Sequence, residues 1–416
     1  MNDLTGNASL PSTQSETRSE LSGAQVATFA VASGLAVGNL YYAQPLLDVI
    51  GHTFGIGHAL SGLIVTVTQL GYAAGLLLIA PLGDLLENRR LVTVILFGTI
   101  VAVLAAASSP RFGAFLAASL AIGVTSVAAQ VLVPLAAHLA RPEARGRVVG
   151  QVMSGLLAGI LLARAAAGII SGAFGWRSVY VISAALLALM IVILYRALPT
   201  YKPTFSKHYG VLIASLSKIY RGEPILQRRA AYQAAMFASF SAFWTSITFL
   251  LSAPPFELSQ IWIGLFSLAG ASGALVAPLA GTLGDRGHGR NATGIAFLLG
   301  AAGFACTLLQ HQLWALLTGA ILIDLAVQTS LVLGQREIYS LRAAERSRLN
   351  TLFIATFFIG GAAGSALSAF AYARMGWHGV VVIGGILPLL AFALWLTDRS
   401  SEPSTGAESF RQPDVV

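Results

Sequence analysis

Apolar and polar residues follow one another along this chain in blocks. Long apolar runs, separated by short polar loops, fall at roughly 25–47, 59–82, 91–109, 113–140, 147–173, 177–198, 229–252, 260–284, 291–309, 313–340, 349–374 and 378–397. A helix rises 1.5 Å per residue, so each run can cross most or all of a hydrocarbon core ~30 Å thick. The pattern predicts an all-α membrane protein of twelve transmembrane helices, spans 1 to 12. Residues 1–23 and 399–416 are polar and are expected to be disordered tails. Residues 199–228 form a polar, basic linker. Within it Val211, Leu212 and Ile213 through Ile219 and Tyr220 are spaced for a short amphipathic helix on the membrane surface.

The blocks repeat. Residues 145–177 read RGRVVGQVMSGLLAGILLARAAAGIISGAFGWR, and 346–378 read RSRLNTLFIATFFIGGAAGSALSAFAYARMGWH. Arg145 maps to Arg346, Arg147 to Arg348, Gly159 to Gly360, Gly175 to Gly376 and Trp176 to Trp377, each pair 201 residues apart. The same shift carries Leu82-Gly83-Asp84 onto Leu283-Gly284-Asp285. The chain is therefore read as two six-helix units, 24–198 and 229–398, joined by the linker. Two positions break the repeat: Arg164 corresponds to Ser365, and Asp324 to Gly123.

Composition agrees with the blocks: 56% of the 416 residues are hydrophobic and 10% charged, against roughly 25% charged in soluble domains. The net charge of +8 does not indicate nucleic-acid binding, because the basic residues gather in short loops. With the N-terminus inside, all 25 Lys and Arg except Arg111, Arg164, Arg177 and Arg374 lie on the cytoplasmic side. Both termini are then expected in the cytoplasm. The single cysteine, Cys306, sits in an apolar run and is expected to be inert. The histidines form no cluster, so no metal or cofactor is expected.

The loop after span 2 reads Ala80-Pro-Leu-Gly-Asp84-Leu-Leu-Glu-Asn-Arg89-Arg90, and its copy reads Gly281-Thr-Leu-Gly-Asp285-Arg-Gly-His-Gly-Arg290. Both resemble the loop signature of the major facilitator superfamily, roughly G-x-L-x-D-R-x-G-R-R. Asn39-Leu-Tyr-Tyr-Ala-Gln44-Pro45, Thr68-Gln69-Leu-Gly-Tyr72 and Gly159-Ile-Leu-Leu-Ala-Arg164 resemble its bacterial arabinose-efflux-like and drug–proton antiporter-like permeases. The resemblance covers nearly the whole chain. It implies the major facilitator fold, with a central cavity between the two repeats. It also implies a bacterial inner-membrane location and ion-driven secondary transport, usually with protons and usually outward. The chain departs from the antiporter pattern where those proteins carry an arginine in span 4, since Ser119 stands there.

In the same fold spans 1, 4, 7 and 10 line the cavity. Asn39, Tyr42 and Gln44 on span 1, Gln130 on span 4, Phe240 and Trp244 on span 7 and Gln328 on span 10 are the expected lining. Aromatic rings with a few amides suit an amphipathic ligand. Asp84, Arg89, Arg90, Asp285 and Arg286 end the even helices on the side where Arg145 and Arg346 open spans 5 and 11. A helix N-terminus carries about half a positive charge, so a carboxylate of one half can cap a helix of the other. These residues form the expected conformational latch. Gly71 with Gly75, and Gly360 with Gly364, are spaced for close contacts on which the halves would rock.

Arg164 and Asp324 are the charges well inside the apolar runs, and intramembrane ionisable residues are functional candidates. They are expected to face each other across the cavity and to couple transport to proton binding. The leading expectation is export of a small organic compound in exchange for protons. The alternative is proton-coupled uptake of a sugar or related metabolite. A transporter-like receptor lacks a signalling segment here, and an enzyme lacks converging catalytic groups. The expected partners are the substrate, protons and the lipid bilayer, and the protein is expected to be monomeric.

Overall fold

The computed structural model describes residues 21–198, 209–342 and 345–398. The expected disordered tails and part of the linker lie outside these residues. Among the described residues, nine helices are long and apolar enough to cross a membrane. One of them, Arg346–Leu396, is two spans meeting at Gly376, where φ is 61° and ψ −151°. Gly289–Cys306 and the broken first segment supply spans 9 and 1. The protein is an all-α membrane protein with the twelve expected spans.

Gly376 has an exact repeat counterpart in Gly175, at φ 81° and ψ 156°. Both sit in a backbone region open essentially to glycine alone, which turns span 5 into 6 and span 11 into 12. The following tryptophans anchor the turns. Trp176 donates its indole N–H to Thr53 Oγ1 at 3.0 Å, and Trp377 donates to the Thr307 carbonyl at 2.9 Å.

Span 1 departs from the expected continuous helix. Gly23–Gly38 is helical, residues 39–43 form turns, and Gln44–Leu46 and Leu47–Phe54 continue the segment. Pro45, in the short 3₁₀ stretch, cannot donate the backbone bond a continuous helix needs there. Span 4 is likewise interrupted between Phe112–Thr125 and Ala128–Leu139. Span 8 passes through a 3₁₀ turn, Ser267–Gly270, on its way to Ala271–Asp285.

The linker helix runs Tyr209–Gly222 and buries Leu212, Leu216 and Ile219, positions three or four apart on one face. Leu216 and Ile219 of that face join the main apolar core. Tyr209 adds a bond from its hydroxyl to the Leu78 carbonyl at 2.7 Å, clamping the linker to span 2.

Glycines set how the spans approach. In the first half an added Cβ at Gly159 would lie 2.3 Å from Gly34 Cα, so spans 1 and 5 touch backbone to backbone. Its counterpart Gly360 meets the Ala234 carbonyl at 2.4 Å, doing the same for spans 7 and 11. The expected rocking glycines therefore pack within their own halves: Gly71 and Gly75 against span 4, and Gly360 and Gly364 against span 7. Other glycines join the halves. Gly62 of span 2 meets Ala369 of span 11, and Gly168 of span 5 meets Gln260 and Gly264 of span 8.

Those joining contacts gather at one end of the molecule. At the other end, which carries most of the arginines, Gly146 and Gly150 of span 5 and Gly281 of span 8 have nothing within 4 Å of an added Cβ. Spans 5 and 8 thus meet at one end and part toward the basic end.

Candidate functional site

Three side chains from spans 5, 7 and 10 converge at mid-depth. Span 5 carries Arg164 between Ala163 and Ala165, which let the helix sit close to its neighbours. Span 7 presents Phe240, Trp244 and Thr248 at four-residue spacing, on one face. Span 10 brings Asp324. Trp244 Nε1 donates to Asp324 Oδ2 at 3.0 Å. The Arg164 guanidinium lies over the same indole, 4.4 Å from the ring centroid, and within 5.6 Å and 5.7 Å of the Tyr41 and Phe240 rings. A desolvated cation–π contact contributes about 2 kcal/mol, a partial offset for burying the charge.

Room for the pair comes from span 8. A Cβ at Gly270 would lie 3.1 Å from Asp324 Oδ1 and 3.4 Å from Arg164 Nη2, so the two charges meet at one glycine from opposite halves. They are neighbours without forming an ion pair. Asp324 commits Oδ2 to the indole, and Arg164 Nε and Nη1 are buried with no hydrogen-bond partner. Arg164 is 3% exposed and Asp324 6%.

Beside them lies a cavity of about 10 Å³ lined by Gln44, Pro45, Arg164, Trp244, Thr248 and Ser267. That is room for about one water. Gln44 is 1% exposed, and its Nε2 and Oε1 also lack partners. Thr248 Oγ1 is already used on the Gln44 carbonyl at 2.9 Å, and Ser267 Oγ on the Gly264 carbonyl at 2.5 Å. A larger depression of about 590 Å³ lies along Leu82, Glu87 and Arg90 at the basic end, away from these groups.

The expected cavity residues divide. Gln44, Phe240 and Trp244 stand with Arg164 and Asp324. Asn39 accepts from Ser183 Oγ at 2.7 Å and donates to the Leu35 carbonyl at 2.8 Å, so the structure holds it inside the first half, against span 6. Tyr42 is buried beside Gly38, and its neighbour Tyr41 faces Arg164 instead. The turns at 39–43 rotate these rings away from the register of a continuous helix. Gln130 donates to the Tyr72 hydroxyl at 3.2 Å. Gln328 places its Cβ against Gly273, on the same span 8 surface as Asp324.

The expected latch residues are held within their own halves. Arg145 Nε donates to the Ala137 carbonyl at 3.0 Å, and its counterpart Arg346 to the Tyr339 carbonyl at 2.9 Å. Asp285 pairs with Arg336 at 3.2 Å on the exposed surface, and Arg286 is exposed. Arg89 lies over the Tyr195 ring at 3.7 Å, and Arg90 pairs with Glu87 at 3.0 Å. Asp84 differs: a charge whose field reaches it is that of Arg348, at the start of span 11 in the other half.

The end where the halves meet is tied by side-chain hydrogen bonds that the sequence alone does not pair. Gln69 Nε2 donates to Ser241 Oγ at 3.0 Å, and Ser365 Oγ donates to the Gly62 carbonyl at 3.1 Å while accepting from Thr245 at 3.2 Å. A group that sequence reasoning missed lies at the basic end of the second half. Asp398, 1% exposed, pairs with Arg228 at 2.9 Å and Arg229 at 3.7 Å, and Arg229 also pairs with Glu337. Its members lie far apart in sequence, so no local motif announces them.

Twelve spans in two repeats, with unlike charges meeting between the halves, are the architecture of a polytopic membrane transporter. The Major Facilitator Superfamily profile matches residues 29–290 and again 256–415. The chain is 43% identical over 377 residues to YgaY of Escherichia coli, described as an uncharacterised transporter, covering 90% of this chain and 96% of that one. It is 35% identical over 361 residues to a protein of Streptomyces coelicolor described as a probable transporter, covering 86% and 83%. In three dimensions it resembles the nucleoside transporter NupG, with TM-score 0.72 and 16% identity over 90% of this chain and 100% of that one. It also resembles a bacterial homologue of the human lysosomal transporter Spinster, with TM-score 0.71 and 14% identity over 89% and 95%. The chain belongs to the major facilitator superfamily and is a multi-pass membrane transporter.

Proposed function

We propose that the protein moves a small organic compound across the bacterial inner membrane by alternating access, coupled to protons through Asp324 and Arg164. The observation that carries this reading is the convergence of the two charges on Gly270 from opposite halves. Each half supplies one charge, so rocking of 24–198 against 229–398 changes their separation. Asp324 then binds a proton in one state and releases it in the other.

The charge distribution supports an inside location for the basic end and for both termini. In the arrangement described here spans 5 and 8 then part toward the cytoplasm. In the opposite state the basic end closes, and Asp84 and Asp285 cap the starts of spans 11 and 5. Another relative is named an inner membrane transport protein, YnfM of Escherichia coli, 26% identical over 273 residues, covering 64% of this chain and 62% of that one; its location accords with the one proposed.

Outward exchange and inward cotransport place opposite demands on the charged pair. Exchange needs substrate and proton to exclude each other, whereas cotransport needs them to bind together.

The test is flux in proteoliposomes, using compounds that raise the melting temperature of the purified protein. Asp324→Asn is expected to abolish flux driven by a pH gradient while leaving exchange of substrate across the membrane measurable. Wild-type gradient-driven flux in that variant overturns the assignment.

A further inference from the structure

We propose that the compound carried is a small organic carboxylate that binds at Arg164 together with a proton on Asp324, so that both cross in the same direction. This rests on the reading of the Arg164–Asp324 cavity as the transport site.

The unmet hydrogen bonds define the ligand. Arg164 offers Nε–H and Nη1–H, Gln44 offers its Nε2–H₂ group, and Gln44 Oε1 is the one acceptor among these four atoms. The hydroxyls of Thr248 and Ser267 on the same wall already donate to backbone carbonyls. Those oxygens can still accept, but none on this wall carries the negative charge that the guanidinium lacks. Buried polar groups require partners, and an orphaned charged donor is the most demanding of them. A carboxylate supplies two acceptor oxygens and the opposite charge. The Tyr41, Phe240 and Trp244 rings around the guanidinium provide apolar surface for the organic part. The space of about 10 Å³ holds a water and not such a ligand, so the walls part to admit it.

The charge balance fixes the coupling. Arg164 and Tyr41 are the charged and titratable groups that face Asp324. With Tyr41 neutral, Arg164 and ionised Asp324 sum to zero. Entry of a carboxylate would leave one uncompensated negative charge in a water-poor site, with two carboxylates competing for one guanidinium. A proton on Asp324 restores neutrality and releases Arg164 to the ligand. Substrate and proton thus favour each other's binding, which is the requirement for cotransport. The outward proton exchange implied by family resemblance needs the opposite sign.

The experiment uses the purified full-length protein in nanodiscs. Benzoate, lactate and phenylacetate are titrated at millimolar concentrations against their amides, with binding read by calorimetry and by Trp fluorescence. At least one carboxylate is expected to bind where its amide does not. Its affinity is expected to rise up to about tenfold for each unit of pH lowered while Asp324 is ionised. Arg164→Gln and Arg164→Lys should each weaken binding by about tenfold or more, with the apo melting temperature showing that the Lys variant folds. Asp324→Asn should bind at its acid-pH strength and lose the pH dependence. Failure of all three carboxylates to bind overturns the proposal. So does equal binding of the amides, or an affinity that is flat or rising with pH. If gradient-driven flux of some other compound still depends on Asp324, the transport reading stands and the carboxylate assignment alone is lost.

Discussion

The packing of span 4 on span 2 and that of span 10 on span 8 are the same contact made twice, 201 residues apart, but the glycine that span 4 brings to it is an aspartate on span 10. In the first half Gly123 of span 4 lies flush against span 2: an added Cβ would come 2.1 Å from the Thr68 carbonyl and 2.9 Å from the Tyr72 nitrogen. In the second half the same position is Asp324, and the facing residues are Gly270 and Gly273 of span 8, the counterparts of Gln69 and Tyr72. One half brings the two backbones together through Gly71, Gly75 and Gly123 and leaves no room for a side chain on span 4. The other empties span 8 and gives the space to a carboxylate. A buried charge inside the membrane needs a neighbour that surrenders its side chain, and the duplicated scaffold supplies this in one half only.

A similar exchange separates Arg164 from its counterpart Ser365. Arg164 carries the cationic side of the cavity, whereas Ser365 bonds across the halves at their joined end. At this pair one repeat position holds a buried cation and its copy a hydrogen bond between the halves.

The largest effect should come from forcing the first half toward the geometry of the second. Gly123→Ala places a methyl group against backbone that a side-chain rotation cannot move, and overpacking of this kind costs about 3 kcal/mol or more. A marked drop in melting temperature is expected for the detergent-solubilised protein. An unchanged melt would show that spans 2 and 4 separate without penalty, and the contrast with Asp324 would fail.

Ser365→Ala should act on the joining of the halves more than on the fold of either. It removes two buried hydrogen bonds at the joined end, a net effect of about 1–2 kcal/mol. Spin-label distances between the starts of spans 2 and 8 should broaden toward separation. Distributions identical to wild type would deny Ser365 a part in holding the halves together.

The smallest effect is expected for Asp285→Asn. In this arrangement its partner is Arg336 on the exposed surface, and such pairs contribute about 0–1 kcal/mol. Asp84→Asn should do more, because the field of Arg348 reaches Asp84 from the other half. Equal shifts in distances across the basic end for both variants would erase the asymmetry between the two loops.

The candidate site was legible in part because charge is conspicuous where it is rare. Arg164 and Asp324 stand out in apolar runs and break the repeat, so the chain itself points to them. Phe240 and Trp244 follow from four-residue spacing on a regular helix. The choice between Tyr41 and Tyr42 was hidden because the turns at 39–43 end the helical register that would decide it. The carboxylate clamp around Asp398 was hidden because its partners, Arg228, Arg229 and Glu337, lie on other helices, and distance along the chain carries no record of proximity in space.

The sequence by itself determined the twelve spans, the duplication and the pair of charges. Transfer of backbone into lipid forces every span into an apolar block of a readable length, and a repeat preserves its register without a structure. Only the tertiary structure decided which glycines join the halves and which pack within them, and that Asp324 bonds to Trp244 while two nitrogens of Arg164 remain unpartnered. Those outcomes depend on which backbones approach within van der Waals contact, a property of how helices far apart in sequence are set against each other. Spacing along any one helix offers a face but does not choose its partner.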